Sequence, residues 1–316
     1  MTTSQYLDIV MSMKAVNYFK ALADETRLRL VHLSLHYELN VNEIVAILGM
    51  GQSRISRHLK ILTDSQLLTS RRDGLWTFYS TASEGEGFNF IQSIKYLFGT
   101  NTIFTEDLAE ANRVLEKRRL EETRFFDSIA EDWEKLKNEI IGEVNLSSMI
   151  LEAVPFSDTI VDMGCGTGDL LAPLREKSRQ VIGVDKSPKM LAEAKQRFSN
   201  DGKNVDLRIG DLEHLPLGDG EADLAVINMV LHHVLDPLKT FQEAFRILKK
   251  GNTFIIVDLL HHHVERMRER YGDRWLGFSI TDIKKWLEKS GFSIGNVDYF
   301  ELKKGLRGFI LQSRKQ

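Results

Sequence analysis

TIVDMGCGTG, residues 159–168, decides the fold of the larger part of this chain. An apolar run closes on Asp162, and three alternate glycines follow: Gly164, Gly166 and Gly168. This pattern predicts a strand, a tight turn and a helix over Asp169 to Arg175. Glycine enters the positive-φ region and lets a ligand touch the backbone. About 20 residues further on, VIGVD ends a second apolar run on Asp185. An acid there is placed to accept both hydroxyls of a ribose. A nucleoside ligand lying across the two strand ends is the expectation.

The phosphate-binding loop has the spacing G-x-G-x-x-G. Here it is G-x-G-x-G, with an acid before it. Asp162 would repel a pyrophosphate and attract an ammonium. S-adenosylmethionine carries an ammonium, a sulfonium and a ribose. VDMGCGTGDL resembles the first motif of class I S-adenosylmethionine-dependent methyltransferases, with Cys165 reading as a small residue in the turn. Further resemblances follow in the family's order. VDKSPKML, with Lys186 and Met190, resembles the ribose-binding strand end. RIGDLEHLPL resembles the segment whose acid, here Asp211, meets the adenine amino group beside the backbone of Leu212. LAVINMVLHHV resembles the fourth strand, with Asn228 where it meets the cofactor. FFDSIAEDW resembles a helix that closes over the cofactor and makes Phe126 and Trp133 lid candidates.

Apolar runs at 159–164, 181–185, 205–210, 224–230 and 253–260 alternate with amphipathic stretches at 169–178, 188–199 and 237–249. Alternation of this kind implies an α/β fold with a parallel sheet covered on both faces, with ligands at the strand carboxyl ends. Segments 296–302 and 305–313 read as a terminal antiparallel hairpin. The resemblance implies a Rossmann-like, mostly parallel seven-stranded sheet over residues 125–316.

The first hundred residues differ. VNEIVAILG, Val41 to Gly49, is a short amphipathic helix ending in a glycine stop. MGQS then leads into SRISRHLKILTDSQLL, so the two helices form a helix-turn-helix unit. The second helix is expected to bury Ile55, Leu59 and Leu62, with Ile61 as a further candidate. Its other face presents Gln52, Ser53, Arg54, Ser56, Arg57, His58 and Lys60, which can reach base edges and phosphates. SRRDGLWTFYS reads as a hairpin turning at Asp73-Gly74, with Arg71 and Arg72 as a basic wing. LADETRLRLV and SRISRHLKIL resemble the winged-helix regulators of the ArsR family. That resemblance implies double-stranded operator DNA as a partner and a homodimer. The dimer would be built on Tyr6, Ile9, Val10, Met13, Val16 and Phe19 with Phe88, Ile91, Ile94, Tyr96, Leu97 and Phe98. Residues 1–104 form this expected domain, and 105–124 a charged, solvated helical connector.

Many ArsR proteins sense metals through cysteine pairs. This chain has one cysteine, so a thiolate metal site is excluded by count. Histidine and carboxylate sites stay open but show no recognisable spacing; the run His261 to His263 gives no shared helical face, and no metal is assigned. His232 and His233, after the fourth strand, are the catalytic candidates, since histidine takes a proton near neutral pH. The charged segment from Asp258 to Ser279 reads as an inserted helix able to line an acceptor pocket. NPPY or DPPY, the strand end of amino-methylating DNA enzymes, is absent. Net charge is −3, so DNA affinity must come from a local patch. No apolar run approaches the roughly 20 residues of a membrane helix. With one cysteine and no basic leader at the N-terminus, a cytoplasmic protein is expected. Two functions follow from the resemblance. One is a regulator fused to a small-molecule methyltransferase that yields S-adenosylhomocysteine. The other is a catalytically silent repressor that senses S-adenosylmethionine or that product.

Overall fold

Helix punctuation places the N-terminal elements. Residues 14–22 are helical (α1). Asp24 caps α2 (Glu25–His36) by accepting from the Arg27 amide. A two-residue strand, β1 (Leu39–Asn40), leads into α3 (Val41–Leu48), where Asn40 and Glu43 form a reciprocal capping box. Gly49, at φ 63°, ends α3 and turns the chain toward α4 (Gln52–Asp64). The hairpin strands β2 (Leu68–Asp73) and β3 (Trp76–Thr81) pair antiparallel, and β1 joins β3, giving the order β1-β3-β2. Two helices follow: α5 (Gly85–Ile94) and the long α6 (Thr102–Ile129).

The computed structural model describes residues 14–73, 76–99, 101–142, 144–198 and 205–316. The expected turn glycine Gly74 and the dimer candidates Tyr6, Ile9, Val10 and Met13 lie outside these residues. Contacts divide the chain into two compact units, Met1–Leu120 and Glu121–Gln316. The stretch expected to be a solvated connector is not solvated all round. Phe104, Asp107, Ala111 and Leu115 recur at helical spacing and are buried within the first unit. Asp107 receives Arg29 there at 2.6 Å, and Arg118 pairs with Glu43.

The second unit continues with α7 (Trp133–Ile141), α8 (Leu146–Ala153), β4 (Ser157–Met163), α9 (Leu171–Arg175) and β5 (Ser178–Asp185). Next come α10 (Pro188–Phe198), β6 (Val205–Ile209), β7 (Ala222–Asn228), α11 (Pro237–Ile247) and β8 (Leu248–Leu259). The chain closes with α12 (Arg266–Tyr271), α13 (Ile280–Lys289), β9 (Phe292–Glu301) and β10 (Arg307–Lys315). The sheet order is β6-β5-β4-β7-β8-β10-β9. β4 to β8 run parallel, and β10 lies antiparallel between β8 and β9.

Successive residues bury on opposite faces. Val161, Ala225, Ile227, Phe254 and Ile256 join one core cluster. Ile160, Leu224, Val226, Ile255 and Val257 join the other. Both faces are covered, which explains why the strands read as unbroken apolar runs. The order reverses at β4 and β7, so the switch point falls beside Asp162. The segment 258–279 departs from expectation. Only Arg266–Tyr271 is helical, because Gly272 takes a left-handed φ of 75° and stops it. Asp273, Trp275, Leu276 and Phe278 then turn inward and are buried.

Phe241 is fully buried, with its ring 5.6 Å from Phe254 and 6.5 Å from Trp286. Phe241→Ala should cost about 3–5 kcal/mol through lost transfer energy and the cavity left behind. Urea unfolding of the full chain, with the slope unchanged and the midpoint lowered, checks this.

Candidate functional site

β4 and β5 carry their terminal acids into one buried space. Asp162 and Asp185 are 2% and 9% exposed. The Asp185 carboxylate accepts from the Gly166 amide at 2.9 Å and the Ser187 amide at 2.8 Å. One lone pair on each oxygen remains for ribose hydroxyls. Burial raises the Asp185 pKa, and those amides oppose the rise. Asp162 is pushed up to about 7 by burial and by the neighbouring Asp185. A buried acid in that state is satisfied by a proton or by a cation.

The loop glycines serve different needs. At Gly164, φ is 82° and a Cβ would meet Val230 Cγ1 at 2.6 Å, so this glycine lets the turn after β7 pack close. At Gly168, also left-handed, a Cβ would press on Ala194 and Phe198 at 3.1 Å. At Gly166, φ is 52° and a Cβ would meet Trp133 Nε1 only at 3.9 Å, so the need here is the left-handed backbone and not space. Cys165 is buried, and burial raises its thiol pKa, which is the state of a packing residue and not of a nucleophile.

Lys186 is held by Glu122 at 2.7 Å and stands 5.9 Å from the Phe126 ring. Met190 is buried at the start of α10. Ser187 Oγ donates to Asp127 at 2.6 Å, a contact sequence reasoning missed. Asp211 Oδ1 accepts from the Glu213 amide at 2.8 Å, with Leu212 buried beside it. Asn228 Oδ1, at the end of β7, is buried with no hydrogen-bond partner. An orphaned acceptor and two buried acids on one strand-end edge fit a ligand that carries an ammonium and hydroxyls. Phe126 lies 5.9 Å from Trp133 and 4.8 Å from His233, so the two lid candidates meet beside the histidines.

His232 and His233 are 5% and 4% exposed. His232 Nδ1 lies 2.8 Å from Asp258 Oδ1, and His233 Nδ1 3.1 Å from the Gly272 carbonyl. Burial opposes charge on both rings. At His232 the acids Asp258 and Asp273 outweigh it, and the pKa rises to about 9. At His233 burial is reinforced by His232, and the pKa falls well below the ordinary value. His232 therefore carries the positive charge at neutral pH, and His233 is neutral. Burial raises the Asp273 pKa to about 7, against the pull of His232. The amides of Arg274 and Trp275 both donate to the His232 carbonyl at 2.9 Å, clamping the inturned segment onto this pair. Asp258 and Asp273 were not singled out from sequence. Each stands in a charged or apolar stretch without spacing to mark it.

In the first unit, Gln52, Ser53, Arg54, Ser56, Arg57 and Lys60 are exposed on α4. Ile55, Leu59 and Leu62 are fully buried, and Ile61 is 37% exposed. His58 corrects the expected reading face. It is 8% exposed and packs 3.7 Å from Asp24, because it follows Ile55 by three positions onto the buried stripe. Arg71 is paired with Glu38 at 2.9 Å and stacked over Phe78, while Arg72 is exposed.

Residues 161–256 match the methyltransferase domain family, and residues 24–70 match the bacterial regulatory protein, arsR family. The chain thus carries an ArsR-family helix-turn-helix segment followed by a methyltransferase domain, whose cofactor is S-adenosylmethionine. An uncharacterised 37.1 kDa transposon protein of Streptomyces fradiae is 38% identical over 109 residues, covering 34% of this chain and 31% of that protein. The arsenite methyltransferase of Halobacterium salinarum is 28% identical over 145 residues, covering 43% and 37%. The demethylmenaquinone methyltransferase of Paenarthrobacter aurescens is 27% identical over 161 residues, covering 50% and 62%. The chain spans 31% to 62% of the lengths of these relatives. A chain from the complex between the Haloferax volcanii Trm112 methyltransferase activator and a methyltransferase superimposes with a TM-score of 0.51. It is 21% identical and covers 60% of this chain and 96% of its own, which shows the fold. Among the described residues no helix is long and apolar enough to cross a membrane.

The Asp162 pKa of about 7 gives a pH prediction. Binding an ammonium requires the ionised acid, so cofactor affinity should rise roughly tenfold per pH unit up to about pH 7 and then level off. Asp162→Asn should bind weakly with a flat profile. Calorimetry between about pH 6 and about pH 8 checks this, and a flat wild-type profile contradicts it.

Proposed function

We propose that this protein is a DNA-binding regulator fused to a methyltransferase of a small molecule. The observation that carries the methyltransferase half is one sheet edge. Asp162, Asp185 and Asp211 stand there on the cofactor side, and the buried His232–His233 pair stands beside Phe126. We take the acceptor to sit against those histidines, under the inturned segment after Asp258. A buried, clamped wall suits a small acceptor better than a macromolecular one. Methyl transfer from a sulfonium expels a neutral thioether, so positioning supplies much of the rate. His232 and His233 remain the candidate catalytic residues. Transfer of labelled methyl from S-adenosylmethionine to panels of small thiols, alcohols and amines tests the reading. Tight cofactor binding with no product from any panel would favour the silent sensor.

For the regulator half, the exposed face of α4 supports DNA reading through Gln52, Ser53, Arg54, Ser56, Arg57 and Lys60. The β2–β3 hairpin is proposed as the wing, with Arg72 on the flanking backbone and Arg71 anchoring the hairpin. Val16, Phe19, Tyr96 and Leu97 are 47%, 63%, 74% and 59% exposed, and this apolar surface is proposed to bury in a homodimer.

His58 and Arg57 should separate cleanly. Arg57→Ala should weaken binding to a duplex selected from random sequence by about 1–3 kcal/mol, with thermal stability unchanged. His58→Ala should lower thermal stability instead, because it empties a packed position. Fluorescence anisotropy at fixed salt, beside thermal melts, checks the pair; equal losses of affinity at unchanged stability would return His58 to the reading face.

A further inference from the structure

We propose that His232, His233 and Asp273 form a binding site for a divalent transition-metal cation at the acceptor wall. Its catalytic role rests on the methyltransferase reading above; the site itself stands on geometry. One ligand atom from each of the three side chains lies within 4.8 Å of the others. Both rings have their Nδ1 fixed from behind. The Asp258 carboxylate holds His232 Nδ1 at 2.8 Å and also accepts from the His232 amide at 3.3 Å. The Gly272 carbonyl holds His233 Nδ1 at 3.1 Å. A carbonyl only accepts, so the His233 proton is on Nδ1 and its Nε2 keeps a lone pair. Metal-binding histidines are held this way, by a carboxylate or a backbone carbonyl on the far nitrogen.

Asp273 supplies the independent observation. It is 4% exposed, and neither carboxylate oxygen has a hydrogen-bond partner. The nearest ring nitrogen, His232 Nε2, is 3.8 Å from Oδ1, beyond hydrogen-bond reach. A buried carboxylate left without hydrogen bonds is costly. At metal–ligand distances of about 2.0–2.1 Å, tetrahedral ligand atoms sit roughly 3.4 Å apart, so small side-chain shifts would close the set. Two imidazoles and one carboxylate suit zinc, iron or cobalt, and three protein ligands leave a position open.

At that open position the cation would bind the oxygen or sulfur of the methyl acceptor. Coordination lowers the acceptor's pKa, and its proton passes to water. The freed lone pair forms the new bond to the methyl carbon as the carbon–sulfur bond of the sulfonium breaks. The electrons of that bond stay on sulfur, which leaves as a neutral thioether. With the cation bound, His233 acts as a ligand, and the metal takes over the handling of the acceptor proton.

The test uses the untagged full chain, stripped by chelator and titrated with Co2+. Visible d–d absorption should grow to one equivalent. It should be lost in His233→Ala and in the near-isosteric Asp273→Asn, and weakened about 10–100-fold in Asp258→Asn. It should persist in the double variant His261→Ala/His263→Ala, which removes two exposed histidines. Co2+ should raise the melting temperature of the wild type and not of Asp273→Asn. Retained cofactor binding by Asp273→Asn shows that the variant folds. Absence of d–d bands in the wild type, or bands that survive Asp273→Asn, would overturn the site. Co2+ binding without turnover of any acceptor would leave the ion site standing and remove the methyltransferase reading.

Discussion

Burial of carboxylates at the carboxyl edge of the sheet is the constraint on which this domain turns. β4 and β5 bring Asp162 and Asp185 to this edge, with Asp162 paired to Gly183, two residues short of Asp185, and Asp185 paired to Ile209 on its other side. Two neighbouring buried acids cannot both be ionised without compensation. The Gly166 and Ser187 amides compensate Asp185, and so the glycine loop must fold tightly around it. Asp162 is left to hold a proton or to meet a cation. The ligand's positive charge is thus specified by the fold before any ligand arrives.

Much of this was legible because it is written in short-range patterns. Alternating strands and helices, glycines at fixed offsets and acids at strand ends each require particular residues within a few positions. The three glycines stood out as a motif, yet their reasons differ: Gly164 makes room for Val230, some 66 positions away, and no local pattern announces that. His58 was misplaced because a polar residue on a basic helix reads as exposed, while position three after Ile55 falls on the buried stripe. The segment after Asp258 was misread for the opposite reason. Its charges suggested one inserted helix, but Gly272 stops the helix after Tyr271 and Trp275 Nε1 bonds the Val234 carbonyl at 2.9 Å, drawing the chain inward. Long-range clamps of this kind leave no periodicity to read.

The same distinction bears on the relatives. The Halobacterium salinarum protein is named for arsenite, a soft ligand that cysteine thiolates hold. This chain has only Cys165, buried in the cofactor loop. A site built from several thiolates is therefore not available within this sequence. On the regulator side, Arg71 turns back to Glu38 and Phe78, and the net charge is −3, so DNA attraction in the proposed reading would rest on local patches such as the exposed α4 face. In the homodimer proposed above, two such faces would act together on one duplex.

Asp162 and Asp273 share one physical situation on the two sides of the proposed methyl transfer. Burial comes first among the causes that raise each, and each is brought to about 7. On the cofactor side the compensating charge would come from the ligand. On the acceptor side His232 already carries a charge, yet it stands too far from Asp273 to hydrogen-bond it, and Asp258 holds its other nitrogen. A single imidazolium cannot satisfy two carboxylates at 2.8 Å and 3.8 Å equally well. A divalent cation drawn into the gap would let His232 become neutral like His233 and would give Asp273 a partner at bonding distance. The acceptor wall is then built on the same principle as the cofactor pocket: a buried carboxyl group that burial pushes toward its neutral form until a cation completes it.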